Sequence, residues 1–261
     1  RIVRKTDSIR VNVTVNDTNI DTVNVSNVSS IFMVRIGSTT EWRVNTTANS
    51  LGCGQNDSNC TLNFLAVDKA DNINNTYSFD IIIDDTYPSI DYANGTEDDD
   101  SSFDRDWIYV NVSVVETNEK NITFYLFNST VELINSTTLG SGNRSINFTN
   151  LDSNMVFYYN VTIIDKVGYT NSTLTRNLTL DNTLPPIHFA GGTEDNDTYF
   201  NRDWIYANIS ATDTNIKFVR FYLYNSSLYQ VGYVQKGKSG KDHNFTDLAD
   251  TNEVYYYNVT V

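Results

Sequence analysis

A strand-like stretch, Arg105-Asp-Trp-Ile-Tyr-Val-Asn-Val-Ser-Val-Val-Glu-Thr-Asn118, returns almost unchanged as Arg202-Asp-Trp-Ile-Tyr-Ala-Asn-Ile-Ser-Ala-Thr-Asp-Thr-Asn215. From Trp107 to Trp204 the step is 97 residues. A repeat of that length constrains the fold more than any single motif, because each copy has to build the same supersecondary unit. Within the first copy Ile108, Val110, Val112 and Val114 alternate with Tyr109, Asn111 and Ser113. Period-two alternation predicts a strand with one face on a core and the other in solvent.

Other marks keep the same step. Asp84-Asp-Thr-Tyr-Pro88 is followed by Asp181-Asn-Thr-Leu-Pro185, and Phe124-Tyr-Leu-Phe by Phe221-Tyr-Leu-Tyr. Asp17-Thr-Asn, Glu116-Thr-Asn and Asp213-Thr-Asn mark one turn in three units. The complete unit predicts seven strands, at 89–93, 107–115, 122–128, 131–135, 145–148, 156–164 and 173–180. No stretch carries a helical period, and the runs of Val, Ile, Thr and Tyr favour pleated surfaces. The expected fold class is all-β, with tandem antiparallel immunoglobulin-like β-sandwiches arranged end to end. The expected domains are 1–86 with an incomplete first strand, 87–183 complete, and 184–261 without its last strand. The chain starts and stops inside the pattern, so a longer polypeptide is expected.

Leu65-Ala-Val-Asp-Lys-Ala-Asp-Asn-Ile-Asn-Asn-Thr76 with Phe79-Asp-Ile-Ile-Ile-Asp-Asp-Thr-Tyr-Pro88, and again Ile163-Ile-Asp-Lys-Val-Gly-Tyr-Thr-Asn171 with Leu180-Asp-Asn-Thr-Leu-Pro185, resemble the closing half of tandem immunoglobulin-like repeats in prokaryotic surface proteins. The Asn- and Thr-rich flavour is most similar to archaeal arrays. The resemblance implies an extracellular location and no particular task, since such folds host many. Asp71 stands where the pattern has glycine, which predicts a reshaped loop.

With 18 basic and 32 acidic residues, the net charge of -14 works against nucleic acid and anionic lipid as partners. No apolar run reaches the roughly 18–20 residues of a membrane helix. Cys53 and Cys60 bracket a short loop. A zinc site would need two more ligands, so a disulfide is expected.

Asn-x-Ser/Thr occurs about two dozen times. The acceptors are Asn12, Asn16, Asn24, Asn27, Asn45, Asn56, Asn59, Asn74, Asn94, Asn111, Asn121 and Asn128. They continue as Asn135, Asn143, Asn147, Asn160, Asn171, Asn177, Asn196, Asn208, Asn225, Asn244 and Asn258. N-linked glycans are the expected modification, although an Asn-rich chain also makes such triplets by composition alone. Tyr109, Tyr158, Tyr206 and Tyr256 each precede an acceptor by two residues, so their rings are expected beneath the first sugar.

The acidic stretch Glu97-Asp-Asp-Asp-Ser-Ser-Phe-Asp-Arg-Asp106 recurs as Glu194-Asp-Asn-Asp-Thr-Tyr-Phe-Asn-Arg-Asp203. Sandwich topology gathers Asp84, Asp85, Glu116, Asn118 and Asp165 at the first joint. At the second it gathers Asp98, Asp100 and Asp104 with Asp181, Asn182, Asp213 and Asn215. Crowded oxygen ligands suit structural Ca²⁺; Asp and Asn in solvated turns are the alternative.

No nucleophile elbow, P-loop, zinc motif or Ser/His/Asp constellation is present, so no enzyme is expected. The expected role is a structural module of an N-glycosylated surface filament, sheath or stalk, whose partners are further domains of the chain or identical subunits. The alternative is an adhesin array that binds glycans or another cell.

Overall fold

A computed structural model describes residues 1–54, 57–213, 215–249 and 252–261. The Asn56 acceptor lies outside them. Among the described residues the only helix is a single 3-10 turn, Asn49–Leu51, and no helix is long and apolar enough to cross a membrane. The chain divides into two compact units, Arg1–Leu180 and Asp181–Val261. The first unit holds two separate hydrophobic cores and the second holds one.

The first core lies between two sheets. Its strands are β1 (Ile2–Val3), β2 (Ser8–Thr14), β3 (Ile20–Ser26), β4 (Ser30–Phe32), β5 (Val34–Arg35), β6 (Glu41–Thr47), β7 (Ser58–Asp68), β8 (Ile73–Asn74) and β9 (Ser78–Ile83). One sheet runs β2-β6-β5; the other runs β1-β9-β7-β3-β4, with β8 beside β7. The second core adds β10 (Ser89–Tyr92), β11 (Ser101–Phe103), β12 (Ile108–Val115), β13 (Glu119–Phe127), β14 (Leu133–Gly140), β15 (Ser145–Phe148), β16 (Met155–Asp165), β17 (Thr170–Ser172) and β18 (Arg176–Leu180). Here the sheets are β10-β12-β15 and β11-β18-β16-β13-β14, with β17 beside β16. The second unit contains β19 (Ile187–Phe189), β20 (Ile205–Ala211), β21 (Phe218–Tyr224), β22 (Gln230–Gly237), β23 (Asp242–Phe245) and β24 (Tyr256–Thr260), in sheets β19-β20-β23 and β22-β21-β24. The protein is therefore all-β, built of tandem sandwiches.

The alternation sets the faces. Ile108, Val110 and Val112 are buried while Ser113 is exposed. On β13 and β16 the same period buries Ile122, Phe124 and Leu126 against Phe157, Tyr159 and Val161. Tyr159 is fully buried, and its hydroxyl donates to the Glu97 carbonyl at 3.0 Å. That burial pushes its phenol up to about 12.

Three sequence expectations change. The strand expected at 131–135 starts two residues later, at Leu133, and runs on to Gly140, because Val131 at φ 63° still belongs to the turn. The strand expected at 173–180 begins only at Arg176 as β18, after the separate strand β17, because Thr173 is turned inward. It is 8% exposed, and its hydroxyl accepts the Val161 N–H at 3.0 Å. The acidic stretch 97–106 is more than a loop: its Ser101–Phe103 pairs parallel with β18. The chain's first residues do the same in the first sandwich, where β1 pairs parallel with β9 and Val3 is buried.

The loop around Asp71 keeps the shape that glycine gives elsewhere. Asp71 adopts φ 62°, as Gly168 adopts φ 92° at the matching position. Asp tolerates this region because its short polar side chain bonds locally. The turn is fixed by Asp68, whose Oδ1 accepts the N–H groups of Ala70 and Asn72 at 2.8 and 2.9 Å.

Cys53 and Cys60 form a disulfide with Cα atoms 5.6 Å apart. Both half-cystines are buried in the first core, 3% and 5% exposed, so the bond anchors the 3-10 turn region to β7 as well as closing a loop. Changing both to alanine should cost about 2–4 kcal/mol, the sum of a short-loop closure term and lost core packing. Urea unfolding with and without reductant measures it. A loss under about 1 kcal/mol would show that the bridge contributes little beyond local order.

Candidate functional site

The Asp84-Asp85-Thr86 segment leaves β9 and leads into β10, so its side chains stand where the two sandwiches of the first unit meet. Asp84 is fully buried, and so is Asp165 at the end of β16. Asn118, just before β13, is 5% exposed. Neither oxygen of Asp84 accepts a well-formed hydrogen bond; Oδ2 of Asp165 and Nδ2 of Asn118 also lack partners. Oδ1 of Asp165 is occupied, accepting the N–H groups of Val167, Gly168 and Tyr169 at 2.9, 2.6 and 2.8 Å. Glu116 Oε1 accepts the Asn118 N–H at 2.6 Å.

The consequence is electrostatic. Burial pushes Asp84 up to about 6, helped by the like charges of Asp165, Glu116 and Asp57. The Thr86 N–H leans the other way and is outweighed. A buried carboxylate among carboxylates, with its oxygens unpaired, is costly unless a proton or cation joins it.

The neighbouring Asp85 has a cation beside it instead, although its buried Oδ2 accepts no aligned hydrogen bond. Its Oδ1 accepts the Lys5 N–H at 3.1 Å, and Lys5 Nζ lies 3.2 Å from Oδ2. Arg4 links the two sandwiches. Its guanidinium donates to the Val167 carbonyl at 2.6 Å and lies 4.2 Å from the centre of the Tyr169 ring. Tyr87 packs on the same ring at 4.2 Å. Gly168 belongs to this contact, because a Cβ there would sit 3.3 Å from Arg4 Nη2.

In the second unit the matching carboxylates accept hydrogen bonds from neutral donors. Asp181 Oδ2 accepts Asn215 Nδ2 at 2.8 Å, and its Oδ1 accepts the Thr183 hydroxyl at 2.7 Å. These two bonds hold the Asp181 carboxyl below the usual range. Asp213 Oδ1 accepts the Asn215 N–H at 2.6 Å. Asp98, Asp100 and Asp104 are exposed, with Asp100 at φ 60° in the turn before β11. Asn182 is exposed as well.

Among the described residues no three Asp, Glu, His or Cys side chains form a ready ligand set for one ion. The first joint offers the buried carboxylates of Asp84 and Asp165, with Glu116 nearby. An oxygen-only donor set of this kind fits a hard cation completed by backbone carbonyls and water.

Every acceptor Asn among the described residues is intermediate or exposed. Two of the tyrosines preceding acceptors have protein partners. A Cβ on Gly95 would lie 3.4 Å from the Tyr109 ring, and Gly192 stands in the same relation to Tyr206. Asn111 and Asn208 donate their amides to the carbonyls of Asn94 and Gly191, each at 3.0 Å. These rings therefore cover a glycine turn, which the spacing of Tyr and Asn does not disclose.

An arginine clamp recurs in both repeats. Arg105 places its guanidinium 4.1 Å from the Phe103 ring centre and 3.7 Å from that of Trp107, and it ion-pairs with Glu97. Arg202 repeats the arrangement with Phe200 at 3.8 Å, Trp204 at 3.7 Å and Glu194. The signal was present, since Glu, Phe, Arg and Trp recur at fixed offsets in both copies.

No family model matches the chain, and no curated protein matches it. Among solved structures it is similar to the fibronectin(III)-like modules of Clostridium thermocellum CbhA. That likeness has a TM-score of 0.35 and 11% identity, over 69% of this chain and 88% of that one. It is also similar to the FN1-FN3 domains of chicken CNTN1, with a TM-score of 0.33 and 9% identity over 97% of this chain and 88% of that one. The sandwich assignment stands on the strand orders above and not on these likenesses.

Proposed function

We propose that the chain is a structural repeat module of an extracellular, N-glycosylated filament, sheath or stalk of a prokaryotic surface. The observation that carries this reading is the first joint. A short link, the Arg4 bridge to Val167 and the Tyr87–Tyr169 contact tie consecutive sandwiches together through specific side chains. A load-bearing array needs joints that resist bending, whereas domains strung on open linkers move independently.

Two further parts belong to the same reading. The buried carboxylates of Asp84 and Asp165 take up Ca²⁺, which removes their mutual repulsion and stiffens the joint. The acceptor asparagines outside the cores carry N-linked glycans, which are tolerated only where bulk does not enter a packed interior.

Electron microscopy of native material tests the role: thin filaments or a sheath are expected, and dispersed single molecules would rule out the structural assignment. Mass spectrometry of peptides spanning Asn111, Asn160 and Asn208 reads the glycans directly. Unmodified peptides at all three would remove glycosylation from the proposal.

A further inference from the structure

On the larger sheet of the second sandwich, acceptor asparagines and aromatic rings share the same cross-strand rows. Along β13 the residues Ile122, Phe124 and Leu126 are buried, so Thr123, Tyr125 and Phe127 face outward. On β16 the buried set is Phe157, Tyr159 and Val161, which turns Tyr158, Asn160 and Thr162 outward. On β18 the buried Leu178 and Leu180 leave Asn177 and Thr179 outward. Register then places Asn160 opposite Tyr125, and Asn177 opposite Tyr158. The second unit repeats the first of these pairs, with Asn258 opposite Tyr222. Asn160-Val-Thr162, Asn177-Leu-Thr179 and Asn258-Val-Thr260 are all glycosylation triplets. In the first sandwich, by contrast, the acceptor Asn45 lies opposite Arg10. Tyr109 and Tyr206 also face acceptors, Asn147 and Asn244, but their rings cover Gly95 and Gly192.

Distance favours the ring across the strand over the ring two residues before the acceptor. Residues directly opposite on one face have Cβ atoms about 5 Å apart. Residues i and i+2 of one strand are about 7 Å apart, twice the rise per residue. Tyr125 is thus nearer to Asn160 than Tyr158 is. The amides are set the same way. An asparagine amide has two N–H bonds, of which a glycan replaces one. Asn160 donates one to Thr175 Oγ1 at 3.0 Å, just before β18 and on that side of its strand. Asn177 donates one to Asp99 Oδ1 at 3.1 Å, just before β11, which flanks β18 on the side away from β16. Each tie is made on the side away from the facing tyrosine, which leaves the other N–H toward the ring. Tyr125 and Tyr158 are both partly exposed, and Phe127 stacks beside Tyr125 with ring centres 6.3 Å apart.

We propose that Asn160 and Asn177 carry N-linked glycans whose first sugars lie on the rings of Tyr125 and Tyr158, so that the outer face of this sheet is a sugar-holding platform. Nδ2 bonds to the anomeric carbon of a phosphate-activated oligosaccharide; the phosphate leaves with the bonding pair, and Nδ2 loses one proton. The C–H face of the sugar then packs on the aromatic face, where apolar contact is made without displacing any core residue. The inference rests on the glycosylation proposed above and adds which acceptors are held, and by which rings.

Mass spectrometry of native material should find Asn160 and Asn177 modified. In the whole chain secreted from an N-glycosylating host, nuclear magnetic resonance should show the first-sugar protons at both sites moved upfield by the ring currents. Those at Asn45, which faces an arginine, should not move. Tyr125→Ser should abolish the shift at Asn160 alone, and Tyr158→Ser that at Asn177 alone, while Tyr125→Phe should keep it. Asn160→Gln should raise the unfolding constant about fivefold beside Tyr125 and leave it unchanged in Tyr125→Ser. Glycans at both sites without upfield shifts would overturn the inference and leave glycosylation standing. So would a shift at Asn160 that follows Tyr158, or unmodified Asn160 and Asn177 beside a modified Asn111. With Asn111 and Asn208 unmodified as well, the glycosylation reading falls with it.

Discussion

In EDTA at pH 8, Asp84→Asn should make the protein more stable, by about 1–3 kcal/mol. The substitution keeps the shape and removes a buried charge held among Asp165, Glu116 and Asp57. The sign follows from linkage. The folded pKa of Asp84 is raised to about 6, above the ordinary carboxyl value of 3.8. Between those values the folded state holds a proton that the unfolded state has lost. Stability from this group is therefore fully present below about pH 4 and lost as pH rises through 6, by about 3 kcal/mol in all. Wild type should lose stability over that window, and Asp84→Asn should lose less. Calcium reverses the order. At a hundredfold excess over its dissociation constant, a cation bound only to the folded state adds about 2.7 kcal/mol to wild type. Asp84→Asn, with one carboxylate fewer, should gain little. Thermal unfolding in EDTA and in Ca²⁺, with hydrogen exchange at residues 84–86 and 165–169, reads both effects. If Asp84→Asn is destabilising in EDTA, the carboxylate has a partner and the account of the joint fails.

The joint was legible because repeat and topology together place loop residues at the poles of each sandwich. Turn positions alone group Asp84, Glu116, Asn118 and Asp165. Sequence does not rank them: Asp85 is paired with Lys5, whose approach depends on the path of β1, while Asp84 beside it has no cation. The alternating strands were equally plain, because a single residue's slip would turn Ile108, Val110 and Val112 outward. What stayed hidden was non-local. The parallel pairing of β11 with β18 joins Ser101 to Leu178, and no local pattern announces it.

The Arg105 clamp is the second place where a large effect is expected. Arg105→Lys should cost about 2–3 kcal/mol and Arg105→Ala about 3–4 kcal/mol. The two side chains of the ion pair are mostly covered, 17% exposed for Arg105 and 19% for Glu97, so removing the cation strands a carboxylate. Lysine restores the charge but not the planar group that fits between Phe103 and Trp107, nor the Nε–H donated to the Trp107 carbonyl at 3.0 Å. Phe103 closes β11, so loosening it also frees the edge of β18, where Phe103 is opposite Leu180. Hydrogen exchange at Leu178 and Leu180 should therefore rise before global unfolding does. Arg202 sits in the other compact unit with its own rings and its own glutamate, so the two lysine variants should add. Urea unfolding of the single and double variants decides the matter. Lysine within about 0.5 kcal/mol of arginine would show that the charge alone is needed and that the ring sandwich contributes nothing.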